Sequence, residues 1–141
     1  MRIEVDIGKT LRSNGRDFTL DVKFACEDDL GVVFGASGAG KSLTLRAIAG
    51  LEKPDYGRIV VAGKVVFDSA AGIDVPASER AVGYLFQDYA LFPHLTVGEN
   101  IGFGVKRWWQ RELPAEAARR VGDLLELFEL RGLGRSFPWQ L

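Results

Sequence analysis

Ile3, Val5 and Ile7 alternate with charged residues, and Phe18, Leu20, Val22 and Phe24 repeat the pattern after a polar stretch. Successive side chains of a strand point to opposite faces, so each segment reads as a half-buried strand, with Ser13-Asn14-Gly15 as the turn between them. The pattern then changes. Gly31-Val32-Val33-Phe34 is a short apolar run suited to a buried strand, and Leu43 to Ala49 reads as a buried helix ending at Gly50. Gly50 to Gly57 is a loop containing Pro54, which stops the helix and starts a strand. Arg58-Ile59-Val60-Val61 and Lys64-Val65-Val66-Phe67 flank Ala62-Gly63, the spacing of a tight hairpin. Ser69 to Ser78, rich in Ala, Gly, Asp and Pro, predicts an exposed loop, and Ala81 to Phe86 a second buried strand ending at Gln87.

Beyond Gln87 the pattern becomes helical. A helix is expected to be capped near Thr96, and a second over Pro114 to Leu130, where Ala118, Val121, Leu125 and Phe128 recur at helical spacing between charged residues. In the loop before the first helix, Tyr89, Leu91, Phe92, Leu95 and Val97 crowd together. Such a run either fills a local core or faces a partner. Trp108 and Trp109, between Lys106-Arg107 and Gln110-Arg111, admit the same two readings.

Composition narrows the class. With 141 residues, 47% of them hydrophobic and 26% charged, the chain builds one modest core and reads as a soluble globular domain or part of one. A net charge of -1 leaves no basic stripe to neutralise a phosphate backbone, so no nucleic-acid partner is expected. Cys26 is alone, which excludes a disulfide within the chain and favours a buried structural thiol; His94 is the single histidine, which excludes a His-rich metal site. No stretch approaches the roughly 18 apolar residues of a spanning helix, and the N-terminus carries acids where a signal peptide needs an apolar run. The expectation is a cytoplasmic chain that does not itself cross a membrane.

The candidate chemistry lies between the first buried run and the first helix. Gly35-Ala36-Ser37-Gly38-Ala39-Gly40-Lys41-Ser42 fits GxxxxGK[ST] at every required position. Small residues let backbone N–H groups turn onto a phosphate where a Cβ would block the approach, Lys41 reaches the outer phosphates, and Ser42 offers a hydroxyl to magnesium. The positive end of the following helix, opening at Leu43, adds a favourable field. Phe18 is the aromatic nearest the first turn; it is either core of an alternating strand or a platform for adenine. Gln87, just past a strand's carboxyl end, is either a solvated side chain or a sensor whose amide ligates magnesium and orients a water.

Together, the phosphate loop and the run Phe86-Gln87-Asp88-Tyr89-Ala90-Leu91-Phe92-Pro93-His94-Leu95-Thr96-Val97 resemble the ATP-binding subunit of ABC transporters, bacterial importers in particular. Within that family the loop, the stretch Phe67-Asp68-Ser69 to Gly72-Ile73, and Arg80 to Asp88 look most like molybdate importers, with sulfate or another small anion as the alternative. The resemblance implies an α/β P-loop NTPase core with an N-terminal antiparallel β layer, an incomplete parallel sheet lacking cover on one core face, and the start of a helical subdomain. The nucleotide-binding core would occupy residues 1–98 and the helical part 99–141 of a partial domain. It further implies ATP held by Gly35, Ala36, Ser37, Gly38, Ala39, Gly40, Lys41, Ser42 and Leu43, magnesium held by Ser42 and Gln87, and Gln87 as the catalytic sensor. Leu91, Phe92, Pro93, His94 and Leu95 would border the groove for a permease helix, placing the chain at the inner face of the plasma membrane. A second ATPase subunit would complete a homodimer.

Two departures from the family qualify this. No aromatic occupies the region from Arg12 to Asn14, where the family usually has its adenine platform. Pro138-Trp139-Gln140-Leu141 resembles the opening of the family's signature, and the resemblance implies beyond it an aspartate for magnesium, a water-polarising glutamate and a histidine for the γ-phosphate, so these residues alone are expected to hold nucleotide without turnover. The competing readings are a nucleotide-binding module without hydrolysis and a soluble ABC-type protein of DNA repair or translation.

Overall fold

A computed structural model describes residues 2–13, 16–28, 30–105 and 113–141. Strand β1 (Ile3–Ser13) pairs antiparallel with β2 (Arg16–Cys26) along its whole length, Ile3 opposite Cys26 and Val5 opposite Phe24. Residues 14 and 15 of the expected turn lie outside the described residues. The other edge of β1 pairs antiparallel with β3 (Tyr56–Val61), which turns through Ala62 and Gly63 into β4 (Lys64–Asp68). Both turn residues have positive φ, 51° and 77°, the backbone that matches the right-handed twist of flanking strands. The result is one five-stranded sheet in the order β2-β1-β3-β4-β5, with β5 at Ile73–Asp74, where the local pattern indicated two separate hairpins.

The loop expected over Ser69 to Ser78 contains a strand. β5 (Ile73–Asp74) pairs with Asp68 and Phe67 at the edge of β4, and Val75 N–H continues the ladder to Val66 O at 2.9 Å. Two residues carry too little periodicity to announce a strand from sequence.

Helix α1 (Lys41–Ala49) packs on this sheet. Its Ala47 and Ile48 join Val5, Ile7, Ile59, Val61, Val66 and Phe67 in one buried cluster. Each large side chain removed from water there contributes about 1.5–3 kcal/mol against the chain entropy lost. The helix ends as expected at Gly50, in the left-handed conformation (φ 78°), with its N–H on Ala47 O and Leu51 N–H on Arg46 O at 2.9 Å. Lys9 Nζ on β1 meets Asp55 at 3.2 Å and Glu52 at 3.4 Å, pinning the following loop to the sheet.

The two apolar runs read as buried strands, 31–34 and 81–86, are not strands. Val32 is 82% exposed, Phe34 97% and Leu85 80%. A strand buried on both faces needs ladder partners on its edges and layers above and below. The five-stranded sheet includes neither segment. The thiol of Cys26 is half-buried, not enclosed, with Sγ 3.9 Å from Asp28 O.

The chain divides into two compact units, Met1–Tyr84 and Leu85–Leu141. In the second, α2 (Val97–Gly102) opens on Thr96 in a capping box: Glu99 N–H donates to Thr96 Oγ1 at 3.3 Å and Thr96 N–H to Glu99 Oε2 at 2.8 Å. Val97 and Gly98 N–H donate to Ser136 O at 2.9 Å and Gly134 O at 3.0 Å. Helix α3 spans Ala115–Leu127, shorter than the Pro114 to Leu130 expected, because Glu129 turns left-handed (φ 58°) just beyond it. Val121 is its buried anchor and Leu125 is half-buried, while Ala118 and Phe128 stay exposed. Trp108 and Trp109 fall outside the described residues.

Candidate functional site

The phosphate-binding pattern forms a loop entering α1. Ala39 N–H donates to Ala36 O at 3.2 Å, and Thr44, buried in the first turn, donates its N–H and its hydroxyl to Gly40 O at 2.9 and 3.0 Å. Gly40 caps the helix with φ 91°, a backbone that L residues rarely adopt, and a Cβ there would stand 2.6 Å from Leu20 Cδ1. No side chain caps this end. The first-turn N–H groups of Lys41, Ser42 and Leu43 therefore face outward with the positive end of the helix dipole behind them, a disposition suited to an anion. The Lys41 ammonium folds across the loop onto Gly35 O at 2.7 Å and Ala36 O at 2.6 Å. Ser42 is exposed.

Phe18, half-buried on β2, lies against the loop. Its Cζ is 3.2 Å from where a Cβ on Gly40 would sit, so the ring forms one flank of the helix entry. Both readings of this residue share that geometry: it packs beside the core residue Leu20 and still borders the phosphate site.

At the far end of α1 stands a residue that the sequence pattern did not single out. Arg80 follows the short turn Ala77–Glu79, and its side chain is 1% exposed. Nε donates to Val75 O at 2.7 Å, Nη1 to Ala47 O at 2.8 Å and Ile48 O at 3.2 Å, and Nη2 meets Asp74 Oδ1 at 3.3 Å. Burial pushes the guanidinium below its ordinary pKa, and the Asp74 charge opposes that. A charge adjoining an apolar run is the only sequence signal for it.

Gln87 is exposed and belongs to the second unit. The residues after it turn sharply, with Tyr89 and Ala90 both at positive φ, 59° and 48°. Phe92 packs its ring on Phe103 at 4.2 Å between centroids, and His94 meets it edge-on at 5.9 Å. Leu91, Pro93 and His94 are exposed and Leu95 is half-buried, so the run is partly a local core and partly free surface. Asn100 on α2 holds this loop. Its Oδ1 accepts Phe92 N–H at 2.8 Å, and its Nδ2 donates to Phe92 O at 3.1 Å and to Leu95 O and Thr96 O at 3.0 Å. The sequence pattern did not single it out, although asparagine is a poor helix-interior residue and that is a signal that could have marked it.

Comparison with known proteins places this geometry. A sequence model of the ABC transporter family matches residues 20–138. The molybdenum import ATP-binding protein of Rhodospirillum rubrum is 42% identical over 141 residues, covering 99% of this chain and 35% of its own. The sulfate/thiosulfate import ATP-binding protein of Synechocystis is 43% identical over 126 residues, 89% of this chain and 32% of its own. The spermidine/putrescine import ATP-binding protein of Acidothermus cellulolyticus is 49% identical over 110 residues, 77% and 26%. The chain thus spans about a third of the length of the curated relatives it matches. A dimeric ATP-binding cassette solved with ADP and Pi superposes with a TM-score of 0.71 at 22% identity, covering 100% of this chain and 63% of that one, which shows the fold: part of a P-loop ATPase cassette. With a family match across most of its residues and a phosphate loop formed at the helix entry, the chain belongs to the ABC transporter family.

Proposed function

We propose that this chain is the nucleotide-holding part of the ATP-binding subunit of an ABC importer for a small oxyanion, molybdate foremost. The observation that carries the reading is the uncapped entry of α1, where Lys41 and the first-turn N–H groups converge on one loop. Bound Mg-ATP supplies the transferable phosphoryl group and the metal charge that screens it. The Lys41 ammonium would hold phosphate oxygens in place of the carbonyls of Gly35 and Ala36, the loop N–H groups would bind the remaining oxygens, and the Ser42 hydroxyl would hold magnesium. Gln87 would serve as the magnesium-binding sensor that the family resemblance implies, and Phe18, on the flank of the loop, would border the base. In the whole protein, residues 1–98 form the nucleotide-binding core and 99–141 begin the helical subdomain. Catalysis then requires a water-orienting base and a second subunit in addition to this cradle.

The loop from Leu91 to Leu95, braced by Asn100 and Phe103, is the surface for a permease, and that contact keeps the subunit at the inner face of the membrane. Among the described residues no helix is long and apolar enough to cross a membrane. The relatives' names cover molybdenum, sulfate and polyamines at similar identity, as expected where other subunits choose the solute.

Uptake of labelled molybdate and of sulfate by cells carrying the full-length protein tests this reading. Lys41→Ala is expected to abolish uptake of one of them. Undiminished uptake of both, or a full-length protein that never co-purifies with a permease, contradicts it and favours a soluble ABC-type role.

A further inference from the structure

Buried charge is expensive, and Arg80 is the buried charged side chain of the first unit among the described residues. Its position states what the cost is spent on. Nη1 reaches the Ala47 and Ile48 carbonyls, which belong to the last turn of α1, where the helix leaves acceptors without intrahelical donors and its dipole is negative. Nε reaches Val75 O, and Val75 is itself tied to β4 through Val66 O at 2.9 Å. Asp74 of β5 supplies the counter-charge. One planar fork thus bonds the C-terminal end of α1 to the edge of the sheet. The space around it is filled: a Cβ on Gly50 would stand 2.6 Å from Nε and 2.9 Å from Cζ.

The opposite end of the same nine-residue helix is the phosphate loop. A rigid rod fixed at one end transmits tilt and translation to the other. Side-chain packing of Ala47 and Ile48 holds α1 onto the sheet but consists of small and aliphatic contacts that permit sliding; the directional bonds of the guanidinium do not.

We propose that Arg80 is a positioning residue for nucleotide binding: by locking the C-terminal turn of α1 to β5 it sets the register at which Lys41 and the first-turn N–H groups meet the phosphates. The inference rests on the nucleotide-binding reading above. It assigns Arg80 no contact with nucleotide. Because coupling between two places is reciprocal, nucleotide at the loop must in turn tighten the residues around Arg80.

The experiment uses the full-length protein, with ATP affinity measured by equilibrium titration in wild type, Lys41→Ala, Arg80→Met and Arg80→Lys. Wild type binding ATP and Lys41→Ala losing it establishes the underlying reading; if wild type does not bind, that reading fails and not this one alone. Given binding, Arg80→Met is expected to weaken affinity roughly five- to tenfold at unchanged helix and strand content. Arg80→Lys is expected not to recover it, since one ammonium cannot serve Val75 O and the helix carbonyls in a planar fork. Millimolar methylguanidine should partly restore Arg80→Met. Unchanged affinity in folded Arg80→Met, or full recovery in Arg80→Lys, overturns the proposal. Should the variants not fold, hydrogen exchange of the wild type decides: ATP is expected to slow exchange at Val75 and across residues 77–80 as well as in the loop, and protection confined to residues 35–46 overturns it.

Discussion

Asp55 shows how single groups hold the nucleotide unit together. Its Oδ2 accepts Thr10 N–H at 2.7 Å, and this bond, followed by that from Lys9, holds its carboxyl below the usual range although partial desolvation works against it. For Lys9 burial alone would lower the pKa, but Asp55 and Glu52 outweigh it and raise it. The signs give two different limits. Stability from Asp55 is present above its unfolded pKa and lost as pH falls through the depressed folded value; stability from Lys9 is present below its unfolded pKa and lost as pH rises through the elevated one. Asp55→Asn is therefore expected to lower the melting temperature at neutral pH, with the gap from wild type shrinking as the pH is lowered below the usual carboxylate range of about 4. Thermal melts across that range check it; a gap that widens on acidification contradicts the assignment. At this scale much of the site was legible, since the four fixed positions of the phosphate loop demand specific residue types. Arg80 was not, because its partners are backbone carbonyls from two separate segments, the end of α1 and Val75, that no spacing announces.

Elements with local causes were read well, and those with distant causes were not. The β3–β4 hairpin follows from Ala62-Gly63, α1 from its glycine boundaries, and α2 from Thr96 and Glu99 three residues apart. These signals act within a few residues. The runs at 31–34 and 81–86 show the limit. Apolar composition marks a segment that suits burial, but strand formation needs a neighbour's backbone, which composition does not contain. The same reasoning explains why the β1–β3 pairing, spanning some fifty residues of chain, was not foreseen. Helix α2 offers the test at this scale. Thr96→Ala removes one acceptor of the capping box and is expected to cost about 1 kcal/mol by denaturant unfolding, with the loss confined to the second unit. Thr96→Ser, which keeps the hydroxyl, should recover most of it. Equal losses for both substitutions contradict the cap as the source.

For the whole molecule, the first compact unit carries the phosphate-binding pattern and α1, whose C-terminal turn bonds to Arg80, and the second carries Gln87 and the loop from Leu91 to Leu95 braced by Asn100. Exposed Leu30, Val32 and Phe34 in one unit and Leu85, Tyr89 and Leu91 in the other are large apolar groups at the surface of the described residues. Such surface calls for cover. The curated relatives extend well beyond the length matched here. The central claim is therefore that the entry of α1 is a nucleotide site and Lys41 its anchoring cation. Titration of the full-length protein with ATP, with and without magnesium, for wild type and Lys41→Ala tests it most directly. Saturable, magnesium-strengthened binding in wild type that falls by at least about a hundredfold in Lys41→Ala is the predicted result, whereas equal affinity in the two proteins would contradict it.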